Sequence, residues 1–288
     1  MQITASMVNA LREKTGVGMM QCKKALTETE GDVEKAVELL RKQGAAVATK
    51  RADKESNEGS ILLAVGAGKA VIAEVNCETD FVAKSDDFKA LAKDVEAAML
   101  ASTTTDVDSL LTFKVGSIDI NGRLSEIMAK IGEKIGVRRI TSLTFGASDV
   151  VFAYSHNGGR AGAIVKLAFE GTPSDAAELN ALAKDVAMQV VAFDAVSIDD
   201  SGVPADIIEK EREIAKDQII NEGKTKPDFV DRQVDGRIKK FLQGICLESQ
   251  GFLRDSKISV KDHVESTGKK LGLSSLKVTQ FLKYELGK

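Results

Sequence analysis

Nucleophilic and acid–base chemistry near neutral pH falls mostly to cysteine and histidine. This chain of 288 residues holds three Cys and two His. Cys22, Cys77 and Cys246 stand far apart, and the histidines are His156 and His263. No C-x-x-C, H-E-x-x-H or G-x-S-x-G occurs. Cys22 and Cys77 have no His nearby in sequence, so they read as buried thiols rather than nucleophiles. An odd, dispersed Cys count argues against a disulfide framework and a zinc site, and suits a reducing cytosol. No metal site and no cofactor are expected. Two stretches imitate phosphate loops. EGKTKP, 222–227, ends as such a loop does, but Gln218 stands where the first Gly is required. It reads as a turn between helices. NGGRAG, 157–162, lies between two apolar runs and reads as a hairpin turn, with His156 at its tip.

Composition excludes further classes. The formal charge is −3 with no long basic block, so bulk nucleic-acid binding has no electrostatic support. Aromatic residues are 5% and Trp is absent, which argues against a base-stacking platform. No apolar run approaches the ~20 residues of a membrane helix, and the N-terminus lacks an apolar signal region. A cytoplasmic protein with two or more domains is expected, with no membrane partner and no nucleic-acid partner.

The elements follow from periodicity. Residues 1–44 read as three short helices. Ile3, Met7 and Leu11 mark the first, and Met19 to Leu26 the second. The third has Asp32 as N-cap, the stripe Val33, Ala36, Val37 and Leu40, and Gly44 as its stop. Residues 45–60 turn polar and read as a linker, so the first domain is 1–55. An internal repeat follows. ALAKDV occurs at 90–95 and again at 181–186. Phe88, Leu91, Ala92, Val95 and Met99 share their spacing with Leu179, Leu182, Ala183, Val186 and Val190. Before each helix come two apolar runs around a Gly-rich turn: 61–65 and 70–75, then 150–154 and 163–169. Each copy is therefore a β-hairpin followed by a helix. A helix over 121–136 and a strand over 137–145 complete the first copy. The fold class is α+β, with repeated subdomains at 56–145 and at 146–200 joined to 243–288. Residues 201–242, opened by Pro204, read as an inserted antiparallel helical hairpin with a thin apolar stripe. Such a hairpin could pair with a second copy of the chain. A helix near 259–271 and a strand at 278–286 close the chain.

Two surface features remain. Met19 and Met20 are adjacent at a helix start and cannot both face one core, since helix neighbours point about 100° apart. Exposed Met suits an adaptable protein contact; a small open core touched by both is the other reading. Phe81 lies in NCETDFVAKSDDF, 76–88, between a strand and a helix. It either plugs the core beneath that helix or is meant for another molecule. Alignment of the copies sets GTPS, 171–174, opposite ETDF, 78–81, so the second copy closes its core with no aromatic there. An aromatic that folding does not demand fits an interface anchor.

EVNCETDFVA, 74–83, and LREKTGVGMMQCKKAL, 11–26, resemble the two signatures of the bacterial translation elongation factor Ts family. IGEKIGVRR, 131–139, and the Tyr154–Arg160 hairpin are also similar, in the same order along most of the chain. The resemblance implies an N-terminal module similar to ubiquitin-associated domains, a two-subdomain core and a helical-hairpin insertion. It implies elongation factor Tu as the partner and exchange of its GDP for GTP, with no nucleotide bound by this chain. Carried over by motif position, Asp80 and Phe81 wedge into the partner near its magnesium site, with Thr79 and Val82 shaping the wedge. Arg12, Met19, Met20 and Lys23 of the N-terminal module grip the partner elsewhere, and His156 faces it too. Some members carry a further helix after the last strand, whereas this chain ends at YELGK, which leaves contacts from such a helix open. Two rivals are an adaptor that binds without accelerating nucleotide release and a small-molecule enzyme using Cys22 or Cys77.

Overall fold

A computed structural model describes residues 3–102, 106–223 and 227–288. The loop-like stretch EGKTKP falls partly on 224–226, outside the described residues. The chain forms two compact units. One comprises the described residues through Thr144 together with Ser155–Gly162 and Tyr284–Lys288; the other comprises Phe145–Tyr154 and Ala163–Lys283.

In the first unit three helices come first: α1 (Ala5–Thr15), α2 (Met19–Glu28) and α3 (Val33–Lys50). Thr4 and Asp32 cap α1 and α3 through their side chains, and Gly16 ends α1 in the left-handed region at φ 67°. Val8, Leu11, Cys22, Ala25, Leu26, Ala36 and Leu40 form a small core. Then follow β1 (Glu58–Val65), β2 (Lys69–Cys77), the one-turn helix α4 (Asp80–Lys84) and α5 (Asp86–Ala101). After α6 (Val107–Thr112), a two-residue ladder of β3 (Lys114–Val115) and β4 (Ile118–Asp119) leads into α7 (Ile120–Ile131) and β5 (Ile135–Thr144). The sheet runs β1-β2-β5. Phe88, Leu91, Val95 and Met99 of α5 pack on Leu62, Val71, Ala73 and Val75. Glu74, fully buried in central β2, accepts from Arg139 Nε (2.7 Å), Asn76 Nδ2 (2.9 Å) and Gly287 N (2.9 Å). A buried carboxylate needs such partners, and these bonds hold the chain's last residues in this unit.

The second unit repeats the plan. Strands β6 (Asp149–His156) and β7 (Ala161–Glu170) form a hairpin, and α8 (Ala176–Ala192) follows. Leu179, Leu182, Ala183, Val186 and Val190 of α8 pack on Ala163, Val165 and Leu167. Next come α9 (Ala205–Glu222) and α10 (Val230–Ile245), then β8 (Gly251–Phe252), β9 (Asp255–Ser259), α11 (Val260–Lys270) and β10 (Ser275–Glu285). The sheet order is β10-β7-β6, so the closing strand pairs with the second hairpin strand in both copies. Ala215 and Ile219 of α9 pack against Val234 and Ile238 of α10, a narrow seam that leaves most of the helical hairpin polar.

Several expectations need correction. Gly44 does not stop α3, which continues to Lys50, so the first six residues of the expected linker are helical. Gly44 is instead a crossing point: a Cβ there would run into the Ser125 carbonyl oxygen of α7. The helix 121–136 stops at Ile131, where Gly132 adopts φ 81°, and Ile135 belongs to β5. Its apolar character suited either element, because strand and helix both bury it. In the helical hairpin, α10 begins two residues after Asp228 and runs three beyond Leu242. The segment after it, read as irregular, holds the short ladder β8–β9.

Gly44→Ala separates the two readings of that glycine. In an open helix interior the change would stabilise by about 1 kcal/mol. Against fixed backbone it should destabilise by about 1–3 kcal/mol instead, seen as a lower melting temperature by far-UV circular dichroism.

Candidate partner-binding site

Phe81 is the second residue of α4, not part of an irregular connection. Thr79 caps α4: its Oγ1 accepts from Val82 N at 3.4 Å. Ser85 closes it, with Oγ donating to Val82 O at 2.7 Å while also capping α5 through Phe88 N at 3.2 Å. Val82 is buried in the core beneath α5. Neighbouring side chains on a helix diverge by about 100°, so anchoring Val82 turns Phe81 outward. Phe81 is 82% exposed, the largest exposure among the large apolar side chains described. The plug reading is therefore excluded. In the second unit, Gly171, Thr172 and Ser174 are exposed and no helical turn forms there.

The backbone before Phe81 is held by charged groups that periodicity did not reveal. Glu78 takes a bidentate pair from Arg51, Nε to Oε1 at 2.6 Å and Nη2 to Oε2 at 2.7 Å. Its Oε1 also accepts from Lys134 N at 2.7 Å. Thr79 donates from its backbone N to Glu133 Oε2 at 3.2 Å and from its hydroxyl to Glu133 at 3.1 Å. Lys134 Nζ reaches back to Ala52 O at 2.7 Å. The sequence signal for Glu133 and Lys134 was the similarity over 131–139; Arg51 had none, lying in the stretch read as linker.

The hydrogen bond from Arg51, above all, holds the Glu78 carboxyl below its ordinary value of 4.5. The hydrogen bond from Lys84 (2.7 Å) does the same for Asp80, leaving a carboxylate beside the exposed ring. Burial, then the charges of Glu133 and Glu58, pushes the Cys77 thiol up to about 12. Burial, with Asp200 close by, pushes Cys246 up to about 12 as well. Cys22 is buried too. Thiolate is the reactive form, so this environment does not suit a nucleophile. Among the described residues, no group of three or more His, Cys, Asp or Glu is placed to hold a metal ion.

The other expected residues are on the surface. Arg12 and Lys23 are exposed, as are both Met19 (45%) and Met20 (77%). Both methionines thus face out from the start of α2, where Gly18 supplies no side-chain cap. His156 is exposed at the β6–β7 tip. That tip belongs to the same unit as Phe81: Arg160 Nη1 meets Glu58 Oε2 at 2.7 Å, and Gly159 sits against the Ser60 side chain. Asp80, Ala83 and Lys84 form one side of a groove whose other side is Asn157, Gly158 and Arg160. Of the residues expected to form the wedge, only Asp80 lines this groove; Thr79, Phe81, Val82 and His156 do not, and the methionine pair lies on the three-helix module of the same unit.

An exposed aromatic on a short helix and a second exposed apolar pair on the same unit are the features of a surface that contacts another macromolecule. The model for the family described as Elongation factor TS matches residues 78–288. Elongation factor Ts of Chloroherpeton thalassium is 43% identical over 293 residues, covering 99% of each chain. That of Prosthecochloris aestuarii is 41% identical over 292 residues, again 99% of each. That of Clostridium acetobutylicum is 41% identical over 289 residues, 99% of this chain and 92% of the relative. The chain belongs to the elongation factor Ts family. Membership makes it a factor of translation elongation that promotes nucleotide exchange on elongation factor Tu, not a catalyst of covalent chemistry. No helix among the described residues is long and apolar enough to cross a membrane.

Two measurements check this electrostatic picture. All three thiols should resist Ellman's reagent at pH 8 in the native protein and react once it is denatured. The Glu78 carboxyl has a lower value in the folded chain than in the unfolded one. Its contribution is therefore present above 4.5 and lost as pH falls through the folded value, because the unfolded chain takes up the proton first. Melting temperature should fall less steeply between neutral and acid pH for Glu78→Gln than for wild type, by an amount equivalent to about 1 kcal/mol.

Proposed function

We propose that the Phe81 turn is the wedge by which this factor displaces nucleotide from elongation factor Tu. The observation that carries the reading is the 82% exposure of Phe81 on a turn held by its neighbours. A Phe ring held in water forgoes about 1.5–3 kcal/mol that burial would give, and insertion into an apolar cleft recovers it. Val82 roots the turn, and Asp80 presents charge beside the ring. Arg12, Met19, Met20 and Lys23 form a second grip on the partner, and His156 at the β6–β7 tip a third.

Exchange follows from linkage. A factor that binds the nucleotide-free partner more tightly than the GDP-bound partner weakens GDP binding by the same ratio. A wedge achieves this by moving the groups that hold the partner's magnesium and the phosphates. Magnesium neutralises phosphate charge, so its loss removes much of the nucleotide's hold. A single coupling of about 1–3 kcal/mol gives about 5- to 150-fold, so one ring is too little for efficient exchange. The contacts act together: the methionine and hairpin contacts supply binding energy that drives the ring in.

The test is release of fluorescent GDP from elongation factor Tu across magnesium concentrations. Phe81→Ala should slow release at saturating factor by about tenfold or more, the scale of losing a buried aromatic anchor. The difference should shrink as magnesium is withdrawn from the buffer. Release as fast as with wild type at every magnesium level would exclude the wedge. Binding of Phe81→Ala and wild type alike, with neither accelerating release, would favour an adaptor instead.

A further inference from the structure

We infer that Glu133 is a positioning residue that presets the Phe81 turn before the partner arrives. This rests on the wedge reading above. Helix α4 has five residues, far too few to hold a helical conformation alone. Its shape depends on the Val82 anchor and on the Thr79 cap. The Thr79 hydroxyl has one proton and two neighbours to satisfy. Glu133 takes the proton, its two oxygens each 3.1 Å from Oγ1. A lone pair of Oγ1 is then left facing Val82 N. A hydroxyl that donates to a carboxylate is also a better acceptor, so the two bonds strengthen each other. Glu133 further accepts from the Thr79 backbone N, which fixes the approach of the chain to the cap.

Glu133 is itself well placed to hold still. It follows Gly132, whose left-handed conformation ends α7, and precedes Lys134, whose backbone N is bonded to Glu78. Two consecutive residues before Asp80 are thus tied to two consecutive residues after α7. None of these bonds involves the Phe81 ring. The arrangement therefore makes sense as a brace for the turn.

Pre-organisation predicts a particular kinetic signature. If the turn must become ordered during insertion, the step that inserts the ring slows, while the methionine grip is untouched. At saturating factor, Glu133→Ala should lower the GDP release rate by about tenfold, the scale of removing a hydrogen bond to a charged group. The half-saturating factor concentration should stay within about twofold of wild type. Thr79→Val should do the same, and the double variant should be no slower than either single one. Glu133→Gln keeps an acceptor for the Thr79 N–H and should fall between. Hydrogen exchange at the Val82 amide reads the cap directly and should quicken in Glu133→Gln and Glu133→Ala. Unchanged Val82 protection, an unchanged release rate, or additive losses in the double variant would overturn the inference. If wild type itself fails to accelerate release, the wedge reading fails, and Val82 exchange still decides whether Glu133 braces the turn.

Discussion

Val82 is the contact on which the exposed aromatic depends. It lies in the apolar layer between β2 and α5 and is nearly inaccessible to solvent. Burying an aliphatic side chain of that size contributes about 1.5–3 kcal/mol. Because helix geometry sends consecutive side chains in different directions, the same contact that buries residue 82 displays residue 81. Holding a Phe in water thus takes a well-buried neighbour together with the hydrogen bonds that keep a five-residue helix in shape.

Side-chain hydroxyls close both ends of the Phe81 turn. Thr79 accepts from the Val82 N–H and Ser85 donates to the Val82 carbonyl, groups that a five-residue helix cannot satisfy internally. The chain entering it is held at Glu78 by Arg51 from the end of α3 and at Thr79 by Glu133 from the turn after α7. The same two helices cross where Gly44 meets Ser125, and Arg41 pairs with Glu126 at 2.7 Å near that crossing. Helices of the methionine-bearing module and the aromatic turn are thus parts of one packed unit. That one unit carries both the exposed methionines and the Phe81 turn.

The repeat makes the contrast between the copies instructive. Both have a hairpin, a helix on one face and a closing strand beside the second hairpin strand. The apolar positions of α5 and α8 correspond, which is why ALAKDV could be found twice. Between strand and helix the copies part. The first builds α4; the second crosses with Gly171 at φ 104° and exposed polar residues. The common framework is what hydrophobic periodicity detects, because it is set by which faces are buried. The difference lies in hydrogen bonds and charge, to which periodicity is blind.

The sequence by itself determined the three N-terminal helices, both hairpins, the helix after each and the charged helical hairpin, since each is a local pattern of apolar spacing and caps. It also marked Phe81 as an aromatic that folding does not demand, and Met19 and Met20 as a pair that cannot both face one core. Motif similarity pointed to the family that the relatives then showed. Only the tertiary structure decided that Gly44 is a crossing rather than a stop, that Phe81 faces water and that Glu133, Glu78 and Arg51 brace it. Each of those depends on a segment distant in sequence: Ser125 for Gly44, α7's exit for Thr79, the end of α3 for Glu78. Close approach and ion pairing are properties of two segments at once, and no reading of either segment alone contains them.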